Sequence, residues 1–134
     1  FQLAISGISG TARISLLPDM NTGGSGLFAS TKYEIPTQIV PQTTLSLFIN
    51  LLDVTKIKLM KLDIEGFEYE AIMGSRDLFV GELIESIALE LHPSILAQRG
   101  KSGQEIVAFL EDCEYKQDAR FQTLIMSKKS AHTK

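Results

Sequence analysis

The chain changes its hydrophobic rhythm near its middle. Residues 1–5 and 11–17 are apolar runs with β-branched content, parted by Ser6-Gly7-Ile8-Ser9-Gly10, and read as two strands across a turn. Residues 18–26 hold Pro18, Asp19, Asn21 and three glycines, which is loop chemistry with nothing to bury. Residues 38–44 are a weaker strand, which Pro41 confines to an edge or a bulge. From Leu45 the period becomes helical, with Leu45, Phe48, Ile49 and Leu52 on one face.

The second half is more sharply patterned. Residues 57–64 end apolar on both faces (Leu59, Met60, Leu62, Ile64), the pattern of a buried strand. Residues 65–73 are helix formers that stop at Gly74, a C-cap candidate. Residues 84–91 form a second buried strand carrying Ile87, Ala88, Leu89 and Leu91. A strand, a helix and a strand in ~35 residues make a βαβ unit with parallel strands and a right-handed crossover. Ser102 and Glu105 fit a capping box for a further helix, whose buried stripe is Ile106, Phe109, Leu110 and Cys113. Residues 121–126 are a closing strand and residues 127–134 a polar tail. No internal repeat or domain boundary interrupts the 134 residues.

Composition narrows the class. Hydrophobic residues at 44% and charged residues at 22% are globular values, which excludes wholesale disorder. No apolar run approaches the ~18 residues of a membrane span, and no basic-then-apolar leader opens the chain, so no membrane partner is expected. Thirteen basic against sixteen acidic residues give a net charge of −3, which argues against nucleic acid. A single cysteine, Cys113, excludes an internal disulfide and a multi-cysteine zinc site; on its buried stripe it reads as a small core residue rather than a nucleophile. A cytoplasmic α/β protein is the expectation, and homo-oligomerisation is left open. The chain opens at Phe1 inside a strand, with no initiator Met, so it is either processed or a piece of something longer.

In parallel sheets ligands bind beyond the carboxyl ends of the strands. There the first strand delivers Asp63-Ile64-Glu65-Gly66 and the second delivers Glu90-Leu91-His92-Pro93. Asp63, Glu65, Glu68, Glu90 and His92 are then neighbours, with Asp63 and Glu65 on one face and Glu90 and His92 likewise paired. Gly66 lets the backbone come close to a ligand at the turn. Each residue also has an ordinary structural explanation. Glu65 and Glu68 complement a helix dipole, Asp63 caps the helix or pairs with Lys58 or Lys61, and His92 ends a strand. An acid closing an apolar strand is nevertheless expensive unless something uses it.

Other motifs fall away. Gly24, Gly26 and Ala29 match G-x-G-x-x-A, but a polar loop precedes them and Pro36 soon follows, so the dinucleotide reading is rejected. No phosphate-binding G-x-x-x-x-G-K-[ST] and no G-x-S-x-G elbow is present.

Residues 57–68, Ile-Lys-Leu-Met-Lys-Leu-Asp-Ile-Glu-Gly-Phe-Glu, resemble the hallmark of the FkbM family of S-adenosylmethionine-dependent methyltransferases. That hallmark is a strand reading roughly L-K-I-D-V-E-G-x-E, followed by a helix ending in G-[AS], here Gly74-Ser75. Thr43-Thr44-Leu45 is similar to the family's T-L-D segment, with Ser46 in place of the acid. Residues 87–92 are similar to its next strand, which ends in E-x-H or a relative. Residues 1–17 resemble the strand and hairpin before a Gly/Ser loop.

The resemblance implies a Rossmann-like class I methyltransferase sheet, present here only as its later strands and helices. Residues 1–126 would be the C-terminal part of that domain. The family's acidic-glycine loop and the acid for the ribose hydroxyls have no counterpart here, which leaves S-adenosylmethionine binding to the full-length domain. The implied reaction is O-methylation of a hydroxyl on a small molecule or sugar. Such a displacement needs its reactants in line at ~3–3.5 Å and a base for the hydroxyl proton. His92 suits the base, since imidazole ordinarily titrates near ~6.5. The expected catalytic residues are Asp63 and His92. The cofactor side is Asp63, Glu65 and Gly66, the acceptor side is Glu68 and Glu90, and no metal is assigned.

Two other readings remain. Asp63, Glu65, Glu90 and His92 are hard-cation ligand types, which suits a metal-binding α/β domain. A non-catalytic fragment acting through a partner chain would instead expose an apolar sheet edge.

Overall fold

The computed structural model describes residues 1–15, 36–118 and 123–128. The Gly24/Gly26/Ala29 pattern, the loop at 18–26, the ends of two expected strands (16–17 and 121–122) and residues 129–134 lie outside them.

Two sheets form. The smaller comprises β1 (Ala4–Ile5), β2 (Gly10–Ser15) and β3 (Thr37–Thr43), in the order β1-β3-β2. β3 is central, contrary to the edge position expected from Pro41. The reason is the shortness of β1, which pairs only with Gln42 and Thr43, so among the described residues Pro41 faces no neighbour on that side. Its missing N–H therefore costs no ladder bond.

Helix α1 (Leu45–Leu51) follows directly, and the Thr44 hydroxyl caps it by accepting from the Leu47 N–H. Leu45 and Ile49 are buried as expected, while Leu52 is 42% exposed beyond the helix end.

The larger sheet has the order β4-β5-β7-β6, built from β4 (Ile57–Leu62), β5 (Ile84–Leu89), β6 (Tyr115–Gln117) and β7 (Leu124–Lys128). β4 and β5 are parallel, as the βαβ reading requires, and β7 is antiparallel to both β5 and β6. β5 buries Ile84, Ile87 and Leu89, with Glu85, Ser86 and Ala88 partly exposed between them. β4 buries less: it sits at the edge of the sheet, and Leu59, expected inside, is 59% exposed. An apolar run reports a strand; its place in the sheet depends on which strands pair with it.

Two helices link β4 to β5, and two more link β5 to β6. The crossover holds α2 (Glu68–Met73) and α3 (Arg76–Val80) where one helix over 65–73 was expected. The start slips to Glu68 because Glu65 and Gly66 have φ of 53° and 93°, which no right-handed helix contains. α4 (Pro93–Gln98), absent from the sequence reading, starts with Pro at its first position, and Leu96 anchors it in the core. α5 (Gly103–Asp112) is capped by the Ser102 hydroxyl, and Ile106, Phe109, Leu110 and Cys113 are all buried. The start of the expected polar tail is strand instead, since Ser127 pairs with Ser86 through both backbone and hydroxyl.

One apolar cluster joins α2, α3, α5 and the larger sheet, with Ile72, Phe79, Ile84, Ile87, Leu110, Tyr115 and Met126 at most 1% exposed. Among the described residues, no helix is long and apolar enough to cross a membrane.

Candidate functional site

The parallel register places Leu62 beside Leu89, and the Glu90 N–H donates to the Leu62 carbonyl. Asp63 and Glu90 thus leave the sheet side by side. After Asp63 the chain turns sharply through Glu65 and Gly66 before α2 begins. A left-handed backbone suits glycine and strains glutamate, and such strain clusters at functional turns. Gly66 is buried, and a Cβ there would overlap the Ile95 side chain of α4.

His92 lies at the centre. Its Nδ1 is 3.0 Å from Glu68 Oε1, and its Nε2 faces Glu65 Oε2 at 3.5 Å and Asp63 Oδ1 at 4.0 Å. Asp63 is also paired with Lys61, whose Nζ lies 2.7 Å from Oδ2 and 4.0 Å from Glu90 Oε2. The hydrogen bond to Asp63, then its charge, hold the Lys61 ammonium above its usual range. One ligand atom each from Asp63, Glu90 and His92 lies within 4.8 Å of the others. Exposure is graded: the Glu90 side chain is 55% accessible, Asp63 30%, Glu65 28%, His92 21% and Glu68 0%. Beside Glu90 an open depression of about 390 Å³ is lined by Leu89, Leu91, Thr123 and Leu124.

The five residues expected to converge do so, while Glu68 and the neighbouring Gly66 are enclosed by the turn. Glu68, assigned to the acceptor, is fully buried beneath His92. Its Oε1 accepts the Ile64 and Gly66 N–H groups, at 3.1 Å each. Gly66, assigned to the cofactor, has both backbone groups occupied, its N–H by Glu68 and its carbonyl by Arg99. Its φ of 93° shapes the turn.

Sequence reasoning missed Arg99. Its guanidinium grips Glu70 through two hydrogen bonds (3.1 and 2.7 Å), donates to the Gly66 carbonyl and stacks 3.8 Å over the Phe67 ring. A basic residue just past a helix reads as a dipole complement, so nothing local singles it out.

An α/β protein with an acid-and-histidine site at the carboxyl edge of two parallel strands is thus defined. Residues 2–116 match the family model for the methyltransferase FkbM domain, so the chain belongs to the FkbM methyltransferase family. Searches of curated proteins and of solved structures gave no significant match.

Proposed function

We propose that the chain is part of the site of an S-adenosylmethionine-dependent O-methyltransferase acting on a hydroxyl of a small molecule or glycan in the cytoplasm. The single observation that carries this reading is the His92 Nε2, facing Asp63 and Glu65 at the strand ends within the family-matching segment. The order β4-β5-β7-β6 with an antiparallel β7 is compatible with the later strands of a Rossmann-like class I sheet.

The donor set suits a sulfonium cation. Asp63, Glu65 and Glu90 set three carboxylates against the Lys61 ammonium, leaving negative charge in excess. Asp63 and Glu65 would hold the cofactor, which when bound supplies an electrophilic methyl group and leaves as a neutral thioether. His92 Nε2 accepts the acceptor's hydroxyl proton as the new oxygen–carbon bond forms. Asp63 orients that hydroxyl, and Glu90 borders the depression that receives the rest of the acceptor. The work of the site is alignment, because an in-line displacement gains most from placement.

The test is methyl transfer by the protein to a panel of hydroxylated acceptors. Asp63→Ala is expected to lower kcat by 10²-fold or more, on the order of the loss of a positioned polar group, with an unchanged thermal midpoint. Turnover equal to wild type would sink the assignment.

The clustered ligand atoms of Asp63, Glu90 and His92 favour a second reading, a divalent-cation site. Lys61 already supplies a positive charge there, so calorimetric titration with magnesium and manganese is expected to give no heat at millimolar metal. Saturable binding abolished by Asp63→Asn would replace the first reading with this one.

A further inference from the structure

Three N–H groups can reach one oxygen, Oε1 of the buried Glu68: those of Ile64 and Gly66, each 3.1 Å away, and that of His92 Nδ1, 3.0 Å away. The two backbone groups can only donate. An oxygen that already accepts two such bonds carries no hydrogen of its own to give, so the hydrogen shared with His92 belongs to Nδ1. In the neutral imidazole that leaves Nε2 as the acceptor nitrogen. Nε2 is on the open side of the ring, facing Asp63 and Glu65, with Glu90 and Lys61 next to them.

We propose that Glu68 is a positioning residue that fixes His92 in its Nδ1–H tautomer and aims the Nε2 lone pair at the bound hydroxyl. The use of that lone pair rests on the methyl-transfer reading; the tautomer does not. Glu68 Oε2 supports a role beyond packing, because it is buried with no hydrogen-bond partner among the described residues. An apolar side chain would fill the same space without an orphan acceptor, but it would release both the turn amides and the imidazole. One carboxylate oxygen therefore ties the geometry of the 63–67 turn to the orientation of the histidine. This is the logic by which a buried acid orients a catalytic imidazole.

The chain has two histidines, His92 and His132, so the experiment is direct. Long-range ¹H–¹⁵N correlation spectra of the ¹⁵N-labelled chain, at a pH where the rings are neutral, distinguish the two tautomers, with His132→Gln giving the assignment. The expected result is a pyrrole-type Nδ1 and a pyridine-type Nε2 for His92. Glu68→Gln retains an acceptor oxygen, which the Ile64 and Gly66 donors keep facing His92, and should preserve that pattern. Glu68→Ala should shift His92 toward the Nε2–H form. A wild-type His92 protonated on Nε2 would overturn the proposal, as would loss of the pattern in Glu68→Gln or its persistence in a folded Glu68→Ala. If Glu68→Ala does not fold, the wild-type and Glu68→Gln spectra still decide. No methyl donor or acceptor enters the measurement, so its failure leaves the methyl-transfer reading to its own test.

Discussion

Arg99 shows how much a turn can owe to one distant side chain. The 63–67 segment carries two successive positive-φ residues; its Ile64 and Gly66 N–H groups donate to Glu68, and its Phe67 N–H donates back to the Ile64 carbonyl. Arg99 closes the other side with a planar fork on Glu70, a bond to the Gly66 carbonyl and a stacked face on Phe67. Both charged side chains are largely shielded, at 15% and 21% exposure, so the pair is worth more than a surface ion pair. Lysine keeps the charge but neither the fork nor the stacking plane. Arg99→Lys is therefore expected to lower stability by about 1–2 kcal/mol, read as a lower urea midpoint with an unchanged slope. The cross-peaks of residues 63–67 in an amide correlation spectrum should shift with it. Asp63 and His92 were legible as chemistry because an acid and an imidazole at strand ends are unusual. Arg99 was not, because its partners, Glu70 and Phe67, lie about thirty residues away and no local pattern signals the contact.

Between elements, the joint of α1, α2 and α3 is set by two small residues. Gly74 ends α2 as its C-cap, as expected, with a right-handed φ of −76°. The reason for glycine is space: a Cβ would run into the backbone of Gly7, in the turn after β1, and into the Glu70 carbonyl. Ser75 is fully buried and accepts the Ser46 N–H at the start of α1, while the Ser46 hydroxyl donates to Asp77 at 2.6 Å. Serine at position 46, where the family pattern has an acid, thus avoids two carboxylates facing one another. Gly74→Ala has only backbone to push against and is expected to cost about 1–3 kcal/mol, measurable by urea unfolding. A cost below a few tenths would mean that the turn after β1 yields easily. The strand–helix–strand order was readable from periodicity, but the split into α2 and α3 was not. It follows from contacts with β1 and α1, elements far earlier in the chain.

Across the whole molecule, Tyr115 ties the last helix and β6 to the sheet by donating a 2.8 Å hydrogen bond to the Ile84 carbonyl from a site 1% exposed. Burial, with a smaller contribution from Cys113, pushes its phenol well above the usual range. Tyr69 is raised too, first through its hydrogen bond to Glu105. A group whose pKa is higher folded than unfolded adds stability that is complete below the unfolded value and is lost as pH rises toward the folded one. Burial raises the Cys113 thiol as well, so stability should begin to fall above about pH 8.5 and fall more steeply beyond about pH 10, where the tyrosines join it. Tyr115→Phe should cost about 1 kcal/mol at neutral pH through the lost hydrogen bond and should flatten that alkaline decline. Urea unfolding of both proteins at pH values between about 7 and 11 checks this; parallel declines would remove Tyr115 as its source.

The division between sequence and tertiary structure follows from range. Periodicity, caps and turn residues act within a few positions, so the chain's own pattern determined the βαβ unit, the stripe of α5 and the acidic strand ends that carry the family hallmark. Register and burial are collective, and only the folded molecule decided them. Pairing Leu62 with Leu89 brings Asp63 beside Glu90, and the lack of a further partner strand among the described residues leaves β4 at an edge. Packing of α2 under the turn makes Glu68 the buried support of His92 rather than a contact at the surface. A carboxylate reads the same in a sequence whether water or an imidazole will surround it; the surroundings come from elements that meet only when the chain folds.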